Sequence, residues 1–178
     1  YLVERMAEEM PEEELARTAL LYRELGLLPD SIDLHRLLLD LLLEQVVGYY
    51  DPPTKTLYLM DGVAAESASE VLAHELVHAL QDQYIDLDSL LSPDLENDRA
   101  TAAQAAIEGH ATLVMFALLL QERTGDGRDI TSLPDVGRQL RPALEASNDQ
   151  MPVFRDAPRI LRETLIFPYI AGAGFVQA

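Results

Sequence analysis

A chain of 178 residues that is 48% hydrophobic has the length of one domain and enough apolar content for a core of its own. Thirteen basic against thirty-one acidic residues leave a formal charge of −18, which repels nucleic acid and anionic lipid surfaces and argues against both as partners. There is no cysteine, so disulfides, thiolate nucleophiles and cysteine-based zinc sites are excluded, and any metal must be held by His, Asp and Glu.

From Glu12 to Leu25 the apolar positions Leu15, Ala19, Tyr22 and Leu25 recur at helical spacing behind an acidic first turn, and Gly26 ends the helix. "PDSIDLHRLLLDLLLEQVVG" predicts a second, long helix with Asp30 or Ser31 as N-cap and Gly48 as its stop. Its broad buried face would be Leu34, Leu37, Leu38, Leu41 and Leu42. In "YYDPPTKTLYLM" the turn residues Asp51, Pro52 and Pro53 separate Tyr49 and Tyr50 from the strand-favouring run Leu57 to Met60, which predicts a small hairpin. Ser67 or Ser69 can cap a helix running to about Tyr84. A polar loop from Asp86 to Asp98 leads into an alanine-rich helix from about Asp98 to Arg123, closed by "TGDGRD". The remainder, punctuated by Pro134, Pro142, Pro152, Pro158 and Pro168, reads as shorter helices joined by turns.

The expected fold class is α+β and mostly α-helical, in a single domain over residues 1–178. The longest apolar runs, at 37–43 and 111–120, fall short of the roughly 20 residues of a membrane helix and read as buried helix faces. The chain opens on Tyr1 without a methionine and stops in "AGAGFVQA", which suggests a piece excised from a longer protein. Its location stays open, with the cell envelope or exterior as the compartment that processing suggests.

"VLAHELVHAL", residues 71 to 80, carries the chemistry. Residues four apart lie one above the other on a helix, so His74 and His78 can bind one metal ion from the same side. Glu75, turned by about 100° from His74, sits near that ion and can reach a water instead of the metal. This is the H-E-x-x-H arrangement of metalloproteases. Two histidines satisfied by neighbouring polar groups are the plain alternative, although an unsatisfied buried polar atom costs about 1 to 3 kcal/mol.

A catalytic zinc site needs a third protein ligand. The metzincin pattern requires Gly at position 81 and His at position 84, whereas this chain has Gln81 and Tyr84. Between Ala100 and Leu120 the ionisable residues are Glu108 and His110, in "AAIEGHAT". Glu108, a lone carboxylate among alanines, is the favoured third ligand and His110 the alternative. The two lie about 200° apart around a helix, so both cannot readily face one ion. His110 is otherwise a hydrogen-bonded core histidine, or a residue supporting the ligands or the substrate. His35, without a spacing partner, reads as structural or exposed.

With "HELVH" and "EGHAT" in place, the sequence resembles a zincin metallopeptidase of the gluzincin clan. More closely, it is similar to uncharacterised bacterial proteins of minimal gluzincin type. The likeness runs from "LGLLPDSIDLHRLLLDLLLEQVVGYYDPPTKTLYL" through "HELVHALQDQY" and "DRATAAQAAIEGHAT" to "FPYIAGAGFV". It implies a zincin-like fold in which a small sheet packs on the active-site helix, with "LYLM" as the edge strand along which an extended peptide would lie. It also implies Zn2+ held by His74, His78 and Glu108. In larger clan members an aspartate four residues after the glutamate ligand orients the first histidine. That position is Thr112 here, so its hydroxyl, Asp98 or Asp82 would take the role. Tyr169, in "FPY", is the candidate for stabilising the oxyanion, with core packing as its other use.

The expected activity is zinc-dependent hydrolysis of peptide or protein substrates, with Glu75 as general base and acid. A zincin-like metal-binding or scaffold domain without turnover is the competing expectation, and a chain that binds no metal is the third.

Overall fold

The computed structural model describes residues 12–91, 97–125 and 129–178. In chain order the elements are α1 (Glu12–Glu24), α2 (Leu34–Gln45), β1 (Gly48–Asp51), β2 (Thr56–Leu59), α3 (Ala65–Gln81), α4 (Leu87–Leu90), α5 (Asn97–Thr124), a 3-10 turn (Ile130–Ser132), α6 (Val136–Asn148), α7 (Pro152–Asp156) and α8 (Arg159–Gln177). The described chain is mostly helical with one two-stranded antiparallel sheet, as the α+β expectation has it. It divides into two compact units. One is drawn from residues up to Val46 and from Leu144–Leu165; the other comprises Val47–Ala143 and Ile166–Ala178.

In the first unit, Ala19, Leu28, Leu34, Leu41, Phe154, Ala157 and Leu161 are buried. Gly26, at φ +70°, supplies the left-handed turn after α1, so the helix closes at Glu24 and Leu25 is left exposed instead of joining the buried stripe. The N-cap of α2 is Asp33 and neither Asp30 nor Ser31: its carboxylate accepts from the Arg36 N–H at 3.0 Å. The earlier residues are taken up by a separate turn, in which the Ile32 N–H donates to the Pro29 carbonyl at 3.1 Å. Leu34 and Leu41 are buried while Leu37, Leu38 and Leu42 are only partly covered, so the buried face is narrower than the leucine run suggests. Glu44 accepts from the N–H groups of Val153 (2.8 Å) and Phe154 (2.7 Å), satisfying first-turn donors of α7 that Met151 leaves uncapped.

The second unit holds the hairpin. β1 and β2 pair with Gly48 opposite Leu59 and Asp51 opposite Thr56, and the paired rings of Tyr49 and Tyr58 stack at 4.9 Å. Thr54 Oγ1 donates to the Asp51 carboxylate inside the turn, where Lys55 takes φ +51°. Gly48 does not stop α2, which ends at Gln45; it opens β1 where the strand presses on α3. A Cβ there would stand 2.8 Å from Val71 Cγ1 and 2.9 Å from the Tyr58 carbonyl.

Helix α3 begins at Ala65 behind Ala64 with no side-chain cap, so Ser67 and Ser69 lie inside it. It packs along α5, with Val77, Ala105, Ile107 and Ala111 buried. Part of the expected polar loop forms the short helix α4, capped by Asp86, whose carboxylate accepts from the Ser89 N–H; Pro93 lies outside the described residues. By length and composition α5 is apolar enough to cross a membrane, more than its longest apolar run implied. A core helix of a soluble protein meets the same criterion, and α5 carries Glu108 and His110 at its middle.

Pro142 and Pro168 do not separate helices; they sit inside α6 and α8. Each removes one i to i−4 hydrogen bond. The apolar run around Pro168, with Ile166, Ile170 and Ala173 buried, nevertheless keeps α8 continuous for 19 residues.

Candidate metal centre

Two helices of the second unit and the part of α8 that belongs to it build the site. α3 presents His74, Glu75 and His78, α5 presents Glu108, and α8 brings up Tyr169. α5 and α8 meet backbone to backbone: a Cβ on Gly109 would lie 2.0 Å from the Gly172 carbonyl carbon, and one on Gly172 would lie 1.8 Å from the Ala105 carbonyl oxygen. "EG" and "AGAG" are therefore two halves of one crossing. It holds Glu108 beside Gly109, and Tyr169 one turn before Gly172.

At the centre, His74 Nε2 is 3.0 Å from Glu108 Oε2 and 3.1 Å from His78 Nε2, and His78 Nε2 is 3.5 Å from Glu108 Oε2. A tetrahedral ion with ligands at about 2.0 to 2.1 Å sets those ligands roughly 3.3 Å apart. The three edges of this triangle straddle that value, and His, His and carboxylate are a donor set suited to zinc. Glu108 is thus the residue of "AAIEGHAT" brought to the histidines, and His110 is not.

Electrostatics agree. Burial raises the Glu108 carboxyl, but hydrogen bonds from His74 and His78 together with their charges outweigh it and hold the group down at about 2. Burial disfavours a charged His78, yet Glu108 and Gln81 raise its pKa on balance. A cluster that keeps its carboxylate ionised and favours a proton on His78 is one that attracts a cation.

Glu75 is buried, at 9% exposure, and its Oε2 accepts the Tyr50 N–H at 2.8 Å. Burial raises its pKa against the lowering pull of His78, His74 and that amide. Because Tyr50 N–H points away from β2, one edge of the two-stranded sheet, that of β1, meets α3, and "LYLM" belongs to the strand that forms the other edge. The Tyr169 ring lies 6.1 Å from that of His74. The charge of Glu108, then burial and Glu75, push its phenol up, so it stays a neutral donor.

Of the residues expected to orient His74, Asp82 does other work, Asp98 is distant and Thr112 makes no hydrogen bond through its hydroxyl. Asp82 accepts from Tyr50 Oη (2.7 Å), Lys55 Nζ (2.6 Å) and the Leu87 N–H (3.3 Å), fastening the hairpin to the end of α3. Burial and then Asp82 push the Tyr50 phenol up to about 12. Asp98 is exposed in the first turn of α5, ten residues or about 15 Å of helix from Glu108. Thr112 is buried, but its Oγ1 has no hydrogen-bond partner. His35 lies on α2, in the first unit.

Gln81 was missed as a functional residue. Its Oε1 is 2.9 Å from His78 Nδ1, while its Nε2 donates to the Ile107 carbonyl at 3.1 Å and lies 3.0 Å from His110 Nδ1. Its place three residues after His78, one helical turn on, was the available signal.

Compared with protein-family models, with curated proteins and with solved structures, the chain matches none.

Proposed function

We propose that this chain is a zinc-dependent peptidase of gluzincin type. The observation that carries the reading is the triangle of His74, His78 and Glu108 ligand atoms, with edges of 3.0, 3.1 and 3.5 Å, beside a buried carboxylate that is not one of its corners. His74 and His78 would hold the ion through Nε2 and Glu108 through Oε2. Zinc bound there would supply Lewis-acid polarisation of a carbonyl and a lowered pKa for water.

The remaining work falls to the chain itself. Glu75 accepts a proton from the attacking water and returns it to the leaving amine. Burial suits it to this, because a carboxylate with a raised pKa accepts a proton closer to neutral pH. The Tyr50 amide holds one carboxylate oxygen still and leaves the other for water. An extended peptide laid along the hairpin would bring its carbonyl past Glu75, with main-chain hydrogen bonds giving affinity. Tyr169 donates its phenolic hydrogen to the oxyanion that develops on that carbonyl. A domain that only stores metal has no use for a buried, amide-held Glu75, which favours turnover over a scaffold role.

The test separates holding from hydrolysis. Glu75→Gln should bind zinc as the wild type does and lose peptide cleavage by at least about a hundredfold, whereas His78→Ala should lose both. Elemental analysis gives the metal content and a quenched peptide library the cleavage. Wild-type cleavage by Glu75→Gln, or a wild-type chain purified with zinc that yields no stoichiometric metal, would overturn the reading.

A further inference from the structure

We propose that Gln81 locks His78 in the tautomer that presents Nε2 to a metal, and that Ile107 and His110 hold Gln81 to that task. The proposal rests on the metal-binding reading above and adds to it a positioning residue outside the triangle.

The hydrogen bonds fix every orientation. A main-chain carbonyl only accepts, so the group 3.1 Å from the Ile107 oxygen must be the carboxamide NH2 of Gln81, and the oxygen must be the atom facing His78. That oxygen also only accepts. His78 Nδ1, 2.9 Å away, therefore carries a hydrogen, and in the neutral ring the lone pair is left on Nε2. Nε2 is the atom that stands in the triangle with His74 and Glu108. The second carboxamide hydrogen faces His110 Nδ1 at 3.0 Å, so His110 accepts there. Gln81 is at 9% exposure, so little water competes for these bonds.

The arrangement spans two helices. Gln81 and His78 belong to α3, while Ile107 and His110 flank Glu108 on α5. The bonds that set the His78 tautomer therefore also fasten its helix to the one carrying the third ligand. An amide suits the position because it accepts from His78 and donates to α5 at once. Leucine does neither, and a carboxylate only accepts.

The experiment measures zinc affinity of the full chain by chelator competition, with circular dichroism to confirm folding. Gln81→Met, similar in shape but without the amide, should weaken zinc binding by about ten- to a hundredfold, the usual effect of removing a partner of a ligating histidine. Gln81→Glu keeps the acceptor for His78 but loses the donor to Ile107 and His110, so it should recover only part of that loss. In the wild-type protein loaded with zinc, imidazole nitrogen NMR should show His78 protonated at Nδ1 and metal-bound through Nε2, a readout that requires no variant to fold. Zinc on Nδ1 of His78, wild-type affinity in a folded Gln81→Met, or Gln81→Glu no better than Gln81→Met would each overturn the proposal while leaving the metal site standing. A wild-type chain that binds no zinc would overturn the metal reading and this proposal together.

Discussion

Thr112 sits one turn beyond Glu108 at 1% exposure, with an Oγ1 that meets no partner. A buried hydroxyl without a hydrogen bond costs about 1 to 3 kcal/mol, and valine fills the same shape without it. Thr112→Val should therefore raise stability by about 1 kcal/mol in urea denaturation and leave the zinc Kd unchanged; a weakened Kd would return the orienting role to the hydroxyl. The histidines and Glu75 were legible at this scale because helical period alone puts them together, and Glu108 because a lone carboxylate among alanines invites an explanation. Gln81 was not, because its meaning lies in the Ile107 carbonyl of another helix, an atom with no signature in sequence. Tyr50 acts on Glu75 through its backbone N–H, which every residue but proline carries.

The crossing of α5 and α8 decides whether Glu108 and Tyr169 share a site. Because a Cβ on Gly172 would stand 1.8 Å from the Ala105 oxygen, backbone must move to admit even a methyl group. Gly172→Ala should cost at least about 2 kcal/mol in stability and lower zinc affinity with it, since Glu108 adjoins the displaced contact. Gly174, two residues on in the same helix, has nothing within 4 Å of an added Cβ. Gly174→Ala should be neutral or stabilising by up to about 1 kcal/mol through helix propensity. Equal effects of the two substitutions in thermal denaturation would remove the crossing from the account. The existence of α1, α2, α3, α5 and the hairpin followed from periodicity and turn residues, but helix ends followed less well. α3 starts without a capping serine, and α6 and α8 run through prolines that ordinarily end a helix. In α8 the local rule loses to burial of Ile166, Ile170 and Ala173, which depends on what the helix packs against.

At the scale of the whole chain, a formal charge of −18 attracts any cation, so stabilisation by zinc must be separated from screening. The triangle makes that separation possible, because two imidazoles and one carboxylate suit zinc, whereas magnesium prefers an octahedron of oxygens. Free zinc at a hundred times its Kd should add about 2.7 kcal/mol to the folded state. For a chain of this length that raises the melting temperature by about 5 to 10 °C. Magnesium at the same concentration gives the screening share alone, and a chelator should reverse the zinc shift. His74, His78 and Glu108 all lie in the unit of Val47–Ala143 and Ile166–Ala178. If calorimetry resolves two transitions, the zinc shift therefore belongs to one of them. An equal shift of both, or a shift that survives replacement of His74 and His78 by alanine, would place zinc on the acidic surface instead of in the triangle.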